Sequence, residues 1–125
     1  MARLVFALGI SILVGCGSDS SSSSASSGAG TFADVQAVFD ASCTSCHGGA
    51  HPSAGMSLAD GASYDNLVGV PATTACGGAM RVAPSDPDHS CLWQLVSAGT
   101  MPRGGTLTAI DKDAIRTWIA NGASR

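Results

Sequence analysis

The sequence predicts an all-α fold, and three observations lead to that prediction. Apolar residues recur at helical spacing in three segments, at residues 31–40, 85–99 and 108–122. Each of these segments begins at a Ser or Thr that can cap a helix, and the last two end near a glycine. The chain between them is rich in glycine and proline, and no stretch shows the alternation of apolar and polar residues that a half-buried strand requires.

The first predicted helix has an N-cap candidate at Thr31 and places apolar residues 32, 35 and 39 on one face. It runs straight into Cys43. The second predicted helix, from Ser85 to Gly99, begins with a cap and an early proline and ends at a glycine. A shorter helical turn is expected at about Ser63 to Val68.

The last predicted helix starts at Thr108, where Asp111 three residues later forms a weak capping box. It ends at Asn121-Gly122. Its expected apolar face consists of Ile110, Ala114, Ile115, Trp118 and Ile119.

Composition divides the 125 residues into three regions. Residues 1–15 carry an apolar run of about eleven residues, which suits a signal peptide, whereas a membrane-spanning helix needs about 20. Residues 16–30 are nearly all Ser, Ala and Gly after the cysteine, which predicts a flexible tether. Residues 31–125 are expected to form one folded domain. That domain has few aromatic residues, so a buried prosthetic group would supply missing apolar bulk.

The charge pattern excludes two classes of partner. The chain has nine Asp, no Glu and a single Lys, and its net charge is -3. This leaves no basic patch for a nucleic acid and no cationic amphipathic helix for a membrane surface.

The segment Leu13-Val14-Gly15-Cys16 resembles a bacterial lipobox, which implies lipidation of Cys16 and anchoring of the protein in the cell envelope. Gly17 at the next position weakly favours the outer membrane over the inner. The alternative is an ordinary secretory signal with a chance cysteine near its end. Either way the domain is expected on the periplasmic or external side, where disulfides can form.

The segment Cys43-Thr44-Ser45-Cys46-His47 is a C-x-x-C-H motif, the attachment signature of c-type haem. Two thiols at this spacing can reach the two vinyl groups on one porphyrin edge, and His47 is then placed to bind the iron. Three other interpretations compete: a thioredoxin-like redox pair, a zinc site and a plain disulfide. The first lacks a preceding strand, the second lacks a second pair of ligands, and the third leaves His47 unexplained.

A helix followed at once by C-x-x-C-H, then loops, then a closing helix resembles the class I cytochrome c domain, and more closely the small haem domains of bacterial lipoprotein cytochromes. The matching positions are Phe32, Val35, Phe39, Cys43 to Gly48, Pro52, Gly55, Leu58, Tyr64, Leu67, Val68, Arg81, Val82, Pro84, Ser90, Leu92, Met101, Pro102, Trp118, Ile119, Gly122 and Ala123. The resemblance implies crossing N- and C-terminal helices around one covalent haem c. It also implies an electron carrier, not an enzyme, whose partners are redox proteins.

The same resemblance implies Met101, which precedes a proline, as the second iron ligand. A His/Met pair raises the reduction potential relative to two histidines. Met101 could instead only pack in the core. The other candidate ligands are Met56, Met80, His51 and His89.

The two cysteines left over, Cys76 and Cys91, are expected to form a disulfide that stabilises the fold by about 3 kcal/mol and has no redox role. Two buried free thiols are the alternative. Arg81 and Arg103 are candidates to pair with haem propionates, although either could be a solvated surface charge. The two tryptophans, Trp93 and Trp118, could pack on haem or at the helix crossing.

The function predicted from the sequence is outer-sphere transfer of single electrons. One alternative is a peroxidase-like or gas-binding haem domain with an open distal site. Another is a non-haem exported lipoprotein domain in which Cys43 and Cys46 never receive haem. With a single Lys, the chain lacks the lysine ring that mitochondrial-type cytochromes use for docking, so contacts with redox partners are expected to be more apolar and less sensitive to salt.

Overall fold

The computed structural model describes residues 30–125, and over this range the chain forms α-helices joined by loops. The helices are α1 (Phe32–Ser42), α2 (Thr44–His47), α3 (Ser63–Leu67), α4 (Cys91–Ser97) and α5 (Ala109–Ala120). Single 3-10 turns lie at Ser53–Gly55 and Cys76–Gly78. Among the described residues no strand forms; the β-type pairing is limited to isolated bridges from Val68 to Val82 and from Pro71 to Met80. The predicted all-α class is therefore confirmed.

The predicted signal peptide (residues 1–15), the lipidated Cys16 and nearly all of the tether lie outside the described residues. Within residues 30–125, no helix has both the length and the apolar character needed to cross a membrane.

Helices α1 and α5 both begin at the predicted caps. The Thr31 hydroxyl accepts a hydrogen bond from the Asp34 amide, and the Asp34 carboxylate accepts one from the Thr31 amide at 3.1 Å. Thr108 and Asp111 form the same reciprocal pair at the start of α5. Each pair satisfies two amides that have no partner inside the helix, which fixes where the helix begins.

Helices α1 and α5 pack against each other, and the core lies along this contact. Val35 and Phe39 of α1 are fully buried, as are Ile115 and Ile119 of α5. Each such side chain contributes about 1.5–3 kcal/mol through removal of apolar surface from water. Because α1 leads directly into the cysteine motif, the contact also holds one end of that motif.

An aromatic cluster closes one end of this contact. The ring of Trp118 lies 5.4 Å from that of Phe32 and 6.4 Å from that of Tyr64, measured between centroids. Trp118 is buried, and its indole N–H donates to the Ser124 carbonyl at 2.7 Å. Of the two roles considered for Trp118, packing at the helix crossing is therefore the one observed.

Two expectations about the helices are wrong. Helix α4 begins at Cys91, whereas the sequence pattern placed its start near Ser85. The Asp86 carboxylate accepts from the His89 amide, and the Ser90 hydroxyl donates to the Asp86 carbonyl, so local side-chain hydrogen bonds replace the first helical turns. Ile110, expected on the buried face of α5, is 57% exposed because it lies in the first turn, before the helix reaches the core.

The chain between α3 and α4 makes a hairpin-like excursion over residues 68–82. The Gly69 amide donates to the Val82 carbonyl, and the Ala72 amide donates to the Ala79 carbonyl at 2.8 Å. Near its tip, Cys76 forms a disulfide with Cys91, the first residue of α4. The disulfide expected from the sequence is thus present, and it joins the excursion to α4.

Candidate functional site

A cavity of about 210 Å³ lies beside the cysteine motif. Its walls come from the end of α1, from α2 and the loop after it, from the end of α3, from the excursion, from α4 and from the loop after α4. Most of its large side chains are apolar, namely Met56, Leu58, Leu67, Leu92, Leu95, Val96 and Met101. Such a space suits an apolar ligand held by a few polar groups.

The three chemically active residues of the motif all line this cavity. Cys43 ends α1, since its amide donates to the Phe39 carbonyl at 2.8 Å, and its own carbonyl accepts from the His47 amide at 2.9 Å. The motif therefore forms one helical turn. Positions three and four residues apart share a helix face, which brings Cys43, Cys46 and His47 to the same wall.

The His47 ring is held by the loop that follows it. Its Nδ1 lies 3.1 Å from the Ser53 carbonyl oxygen, and the ring is buried. A carbonyl only accepts, so Nδ1 carries the proton and donates, which leaves Nε2 with a free lone pair. The His47 carbonyl also accepts from the Leu58 amide at 2.6 Å. This is the arrangement that orients a metal-binding imidazole.

Gly48 is required by the turn that positions His47. A Cβ atom at this position would lie 2.5 Å from the Thr44 carbonyl oxygen. A real Cβ cannot approach a backbone oxygen so closely, so a side chain at residue 48 would displace the motif helix.

The two thiols of the motif are not joined to each other, although Cys76 and Cys91 are. Cys46 is exposed and Cys43 is half-buried. Burial, with a smaller contribution from the nearby Cys46, raises the pKa of Cys43 to about 11. Cys43 is therefore a neutral thiol at physiological pH.

Of the five candidate second ligands, Met101 and Met56 line the cavity. Met101 follows α4, is half-buried, and donates its amide to the Leu95 carbonyl at 3.2 Å. Met56 belongs to the loop whose Ser53 carbonyl holds His47.

The other three candidates lie elsewhere in the described structure. Met80 is 42% exposed, and His51 is exposed. The His89 ring pairs on the surface with Asp86, whose pKa is lowered by the hydrogen bond from that histidine.

Arg81 and Arg103 both line the cavity, and among its lining residues they are the ones with a permanent charge. Arg81 is fixed: its guanidinium donates to the Asn66 carbonyl at 2.8 Å and to the Ala54 carbonyl at 3.5 Å. Arg103 is exposed at the rim.

Neither of the two tryptophans lines the cavity. Trp93 lies instead beneath the Arg116 guanidinium, whose central carbon is 5.9 Å from the centroid of the ring.

Comparison with protein-family models, curated proteins and solved structures finds no match to this chain. The chemistry of the site therefore rests on its own residues. Within residues 30–125, no group of three or more His, Cys, Asp or Glu side chains is placed to hold a metal ion.

Two parts of the site were not expected from the sequence. Residues 72–75 form part of the cavity wall, although the sequence there reads only as a loop. Gln36 of α1 is buried and donates to the Leu58 carbonyl at 3.0 Å, and it accepts from the Ser63 hydroxyl. A single polar residue on a helix carries no signal that separates this role from an exposed one.

Proposed function

We propose that residues 31–125 form a cytochrome c-like domain that binds one haem covalently through Cys43 and Cys46 and passes single electrons. One observation carries the proposal: Cys43, Cys46, His47 and Met101 all line the same largely apolar cavity. These are the residues that covalent haem with His/Met ligation requires, and they come from two distant parts of the chain.

The donor set of the cavity fits this cofactor. Haem is a large apolar disc with two carboxylates on one edge, and the cavity combines apolar walls with two guanidinium groups, Arg81 and Arg103. No carboxylate lines it, so nothing there repels an anionic ligand group. Arg81 is the better-ordered donor because two backbone carbonyls already fix its position.

The roles of the protein residues follow from their surroundings. The thiols of Cys43 and Cys46 would hold the macrocycle through thioethers, and His47 would bind the iron through Nε2 because the Ser53 carbonyl holds Nδ1. Met101 would bind the iron as a second protein ligand and leave no open site for a small ligand. The cofactor supplies the Fe(II)/Fe(III) couple, and the apolar walls keep water from it.

Thiol–disulfide exchange at the motif is the weaker candidate. Attacking cysteines in such enzymes have lowered pKa values, which provide thiolate at neutral pH. Burial instead raises the pKa of Cys43 to about 11. The thiol is thus protected from oxidation rather than activated.

The lipidated Cys16 and the Ser-rich tether belong to the same proposal. An anchored domain on a flexible tether stays close to redox partners in the cell envelope, which raises their effective concentration. The partners proposed are redox proteins.

The first test replaces the sulfur ligand. In Met101→Leu, a volume-conserving change, the haem protein should lose the far-red absorption band of a thioether-bound ferric iron, and its reduced form should bind carbon monoxide rapidly. Met56→Leu is the matched control, because Met56 lines the same cavity. It should change neither property.

Three results would argue against the proposal. Loss of the band in Met56→Leu alone would reassign the ligand. Rapid stoichiometric carbon monoxide binding by the unmodified protein would favour the gas-binding or peroxidase-like alternative. Absence of a Soret band after expression with a haem-attachment system would favour a non-haem domain.

A further inference from the structure

The wall segment, residues 72–79, is a part of the cavity wall with few attachments to the rest of the protein. Its residues 72–75 line the cavity directly. No residue from 71 to 80 is buried, so no side chain of the segment is anchored in the core. Core anchoring is what holds most loops in one conformation, so something else must hold this one.

Hydrogen bonds supply little of that anchoring. The Ala72 amide donates to the Ala79 carbonyl, and the Ala79 amide donates to the Cys76 carbonyl, but both bonds lie within the segment. Among the described residues, no backbone hydrogen bond links residues 73–78 to the rest of the protein. The disulfide from Cys76 to Cys91 is therefore what connects residues 73–78 to α4, whose Cys91 amide also donates to the Met80 carbonyl just after the segment.

The backbone at Cys76 adopts a left-handed conformation. Cys76 adopts φ 56°, and the next two residues, Gly77 and Gly78, adopt φ 59° and 86°. The left-handed region is easily reached by glycine and unfavourable for a residue with a Cβ atom. Cleavage of the disulfide removes one covalent restraint on this unfavourable backbone conformation.

The disulfide is open to attack from one side. Cys76 is half-buried, whereas Cys91 is 4% exposed and lines the cavity. Around Gly77 and Gly78 an added Cβ would meet no atom within 4 Å, so the chain beside Cys76 borders open space. Cys76 is therefore the more accessible of the two cysteines to an incoming thiolate.

We infer that the Cys76–Cys91 bond is a thiol–disulfide exchange site for a dithiol reductant, and that its cleavage opens the cavity wall formed by residues 72–75. One thiolate of the reductant attacks the Cys76 sulfur, forms a mixed disulfide and displaces Cys91 as a thiolate, which takes up a proton. The second thiol of the reductant then closes its own disulfide and releases Cys76 as a thiol. Two electrons and two protons pass from the dithiol to the protein.

The consequence for the iron rests on the proposed function, whereas the opening of the wall does not. With the wall segment released, the cavity gains a path for small molecules. The domain with the cleaved disulfide would then bind ligands that the domain with the intact disulfide excludes. The intact disulfide would mark an electron-carrying form, and the cleaved disulfide a ligand-binding form.

The test compares the full chain before and after complete cleavage of the disulfide by dithiothreitol, with cleavage followed as two new alkylatable thiols. Ascorbate, which reduces haem iron and leaves disulfides intact, prepares the reference sample. The amide order parameters of Gly77 and Gly78 should fall from about 0.85 to below about 0.6, while those of α1 and α5 stay unchanged. Carbon monoxide should bind the ferrous protein at least tenfold faster.

A double variant, Cys76→Ser with Cys91→Ser, should reproduce the dithiothreitol-treated state without any reductant. Unchanged order parameters after full cleavage, or a disulfide that reacts only on global unfolding, would overturn the inference. If the segment becomes mobile and carbon monoxide binds no faster, the claim that the opened wall gives small molecules a path to the iron is wrong. If the protein lacks a Soret band, the proposed function fails, and the order parameters still decide whether the wall opens.

Discussion

At the scale of single residues, the neighbours of the motif determine what its side chains can do. The Ser53 carbonyl directs one nitrogen of His47, and the position of the Thr44 carbonyl excludes any side chain at Gly48. Cys43 and Cys46, three residues apart, differ in exposure because Cys43 packs against the hydrophobic core, whereas Cys46 is exposed to solvent. These surroundings make the two thiols chemically unequal before any cofactor is attached.

We therefore predict unequal alkylation of the two thiols in the haem-free protein. Each of the single variants Cys43→Ser and Cys46→Ser retains one motif thiol, whose alkylation rate can then be measured alone. At pH 8, iodoacetamide should modify Cys46 at least about tenfold faster than Cys43. Only the thiolate reacts, and burial keeps the Cys43 thiol protonated. The rate at Cys43 should keep rising with pH toward its pKa of about 11.

The Cys46→Ser variant also removes the smaller, coulombic cause of the raised Cys43 pKa, so the measured pKa of Cys43 should fall slightly below that value.

Ionisation of the buried Cys43 thiol should also change the free energy of unfolding. Because the folded-state pKa is raised, the unfolded chain loses its proton first, and the haem-free fold should become less stable between about pH 9 and 11. Equal alkylation rates for the two thiols would contradict this description.

At the scale of helices and loops, Gln36 connects three elements that the site depends on. Its amide donates to Asp40 of its own helix and to the Leu58 carbonyl of the loop that holds His47. Its carbonyl accepts from the hydroxyl of Ser63 at the start of α3, which is 1% exposed. A buried hydroxyl without a partner is costly, so this network fixes the relative positions of α1, the loop and α3.

Gln36→Leu should lower the free energy of unfolding by about 2–3 kcal/mol, since it leaves the Ser63 hydroxyl and the Leu58 carbonyl without their partner. Adding Ser63→Ala to Gln36→Leu should lower the free energy of unfolding little further, because it removes the Ser63 hydroxyl that the first substitution left without a partner. Denaturant unfolding followed by circular dichroism measures both values.

Gln94→Leu serves as the control, because Gln94 is an exposed glutamine that also donates to a backbone carbonyl. It should cost below about 1 kcal/mol. Additive costs for Gln36→Leu and Ser63→Ala would show that the two side chains do not act together.

The helices differ in how far their sequences could predict them, for physical reasons. The starts of α1 and α5 were predicted because their signals are local: an N-cap threonine at Thr31, and a capping box of Thr108 and Asp111 within four residues. The start of α4 was not, since Asp86 and Ser90 use the same hydrogen-bonding chemistry to form a turn instead. The motif turn was predictable from spacing, whereas the wall at residues 72–75 depends on a disulfide distant in sequence.

At the scale of the whole molecule, negative charge is kept away from the cavity. The chain carries a net charge of -3, yet none of the Asp residues in the described range lines the cavity. At the cavity mouth, the exposed lining residues are small or polar, and Arg103 is the charged one among them. A partner approaching the cavity therefore meets one positive charge within a negatively charged protein.

This distribution predicts how small redox reagents react with the haem protein. Arg103→Ser should slow oxidation of the ferrous protein by the anion ferricyanide about two- to fivefold at low ionic strength, because it removes the local positive charge. The difference should shrink as salt is added. The measurement is stopped-flow kinetics, with the reduction potential of each variant determined so that its change can be subtracted.

Arg116→Ser is the matched control, since it changes the net charge by the same amount on α5, where Arg116 lies over Trp93 and does not line the cavity. If only net charge mattered, the two variants would slow the reaction equally. We expect Arg116→Ser to have a clearly smaller effect, because in the proposed function electrons leave through the cavity mouth, and charges within about one Debye length of that mouth dominate the encounter. Equal effects would mean that the reagent reaches the iron by another side of the domain.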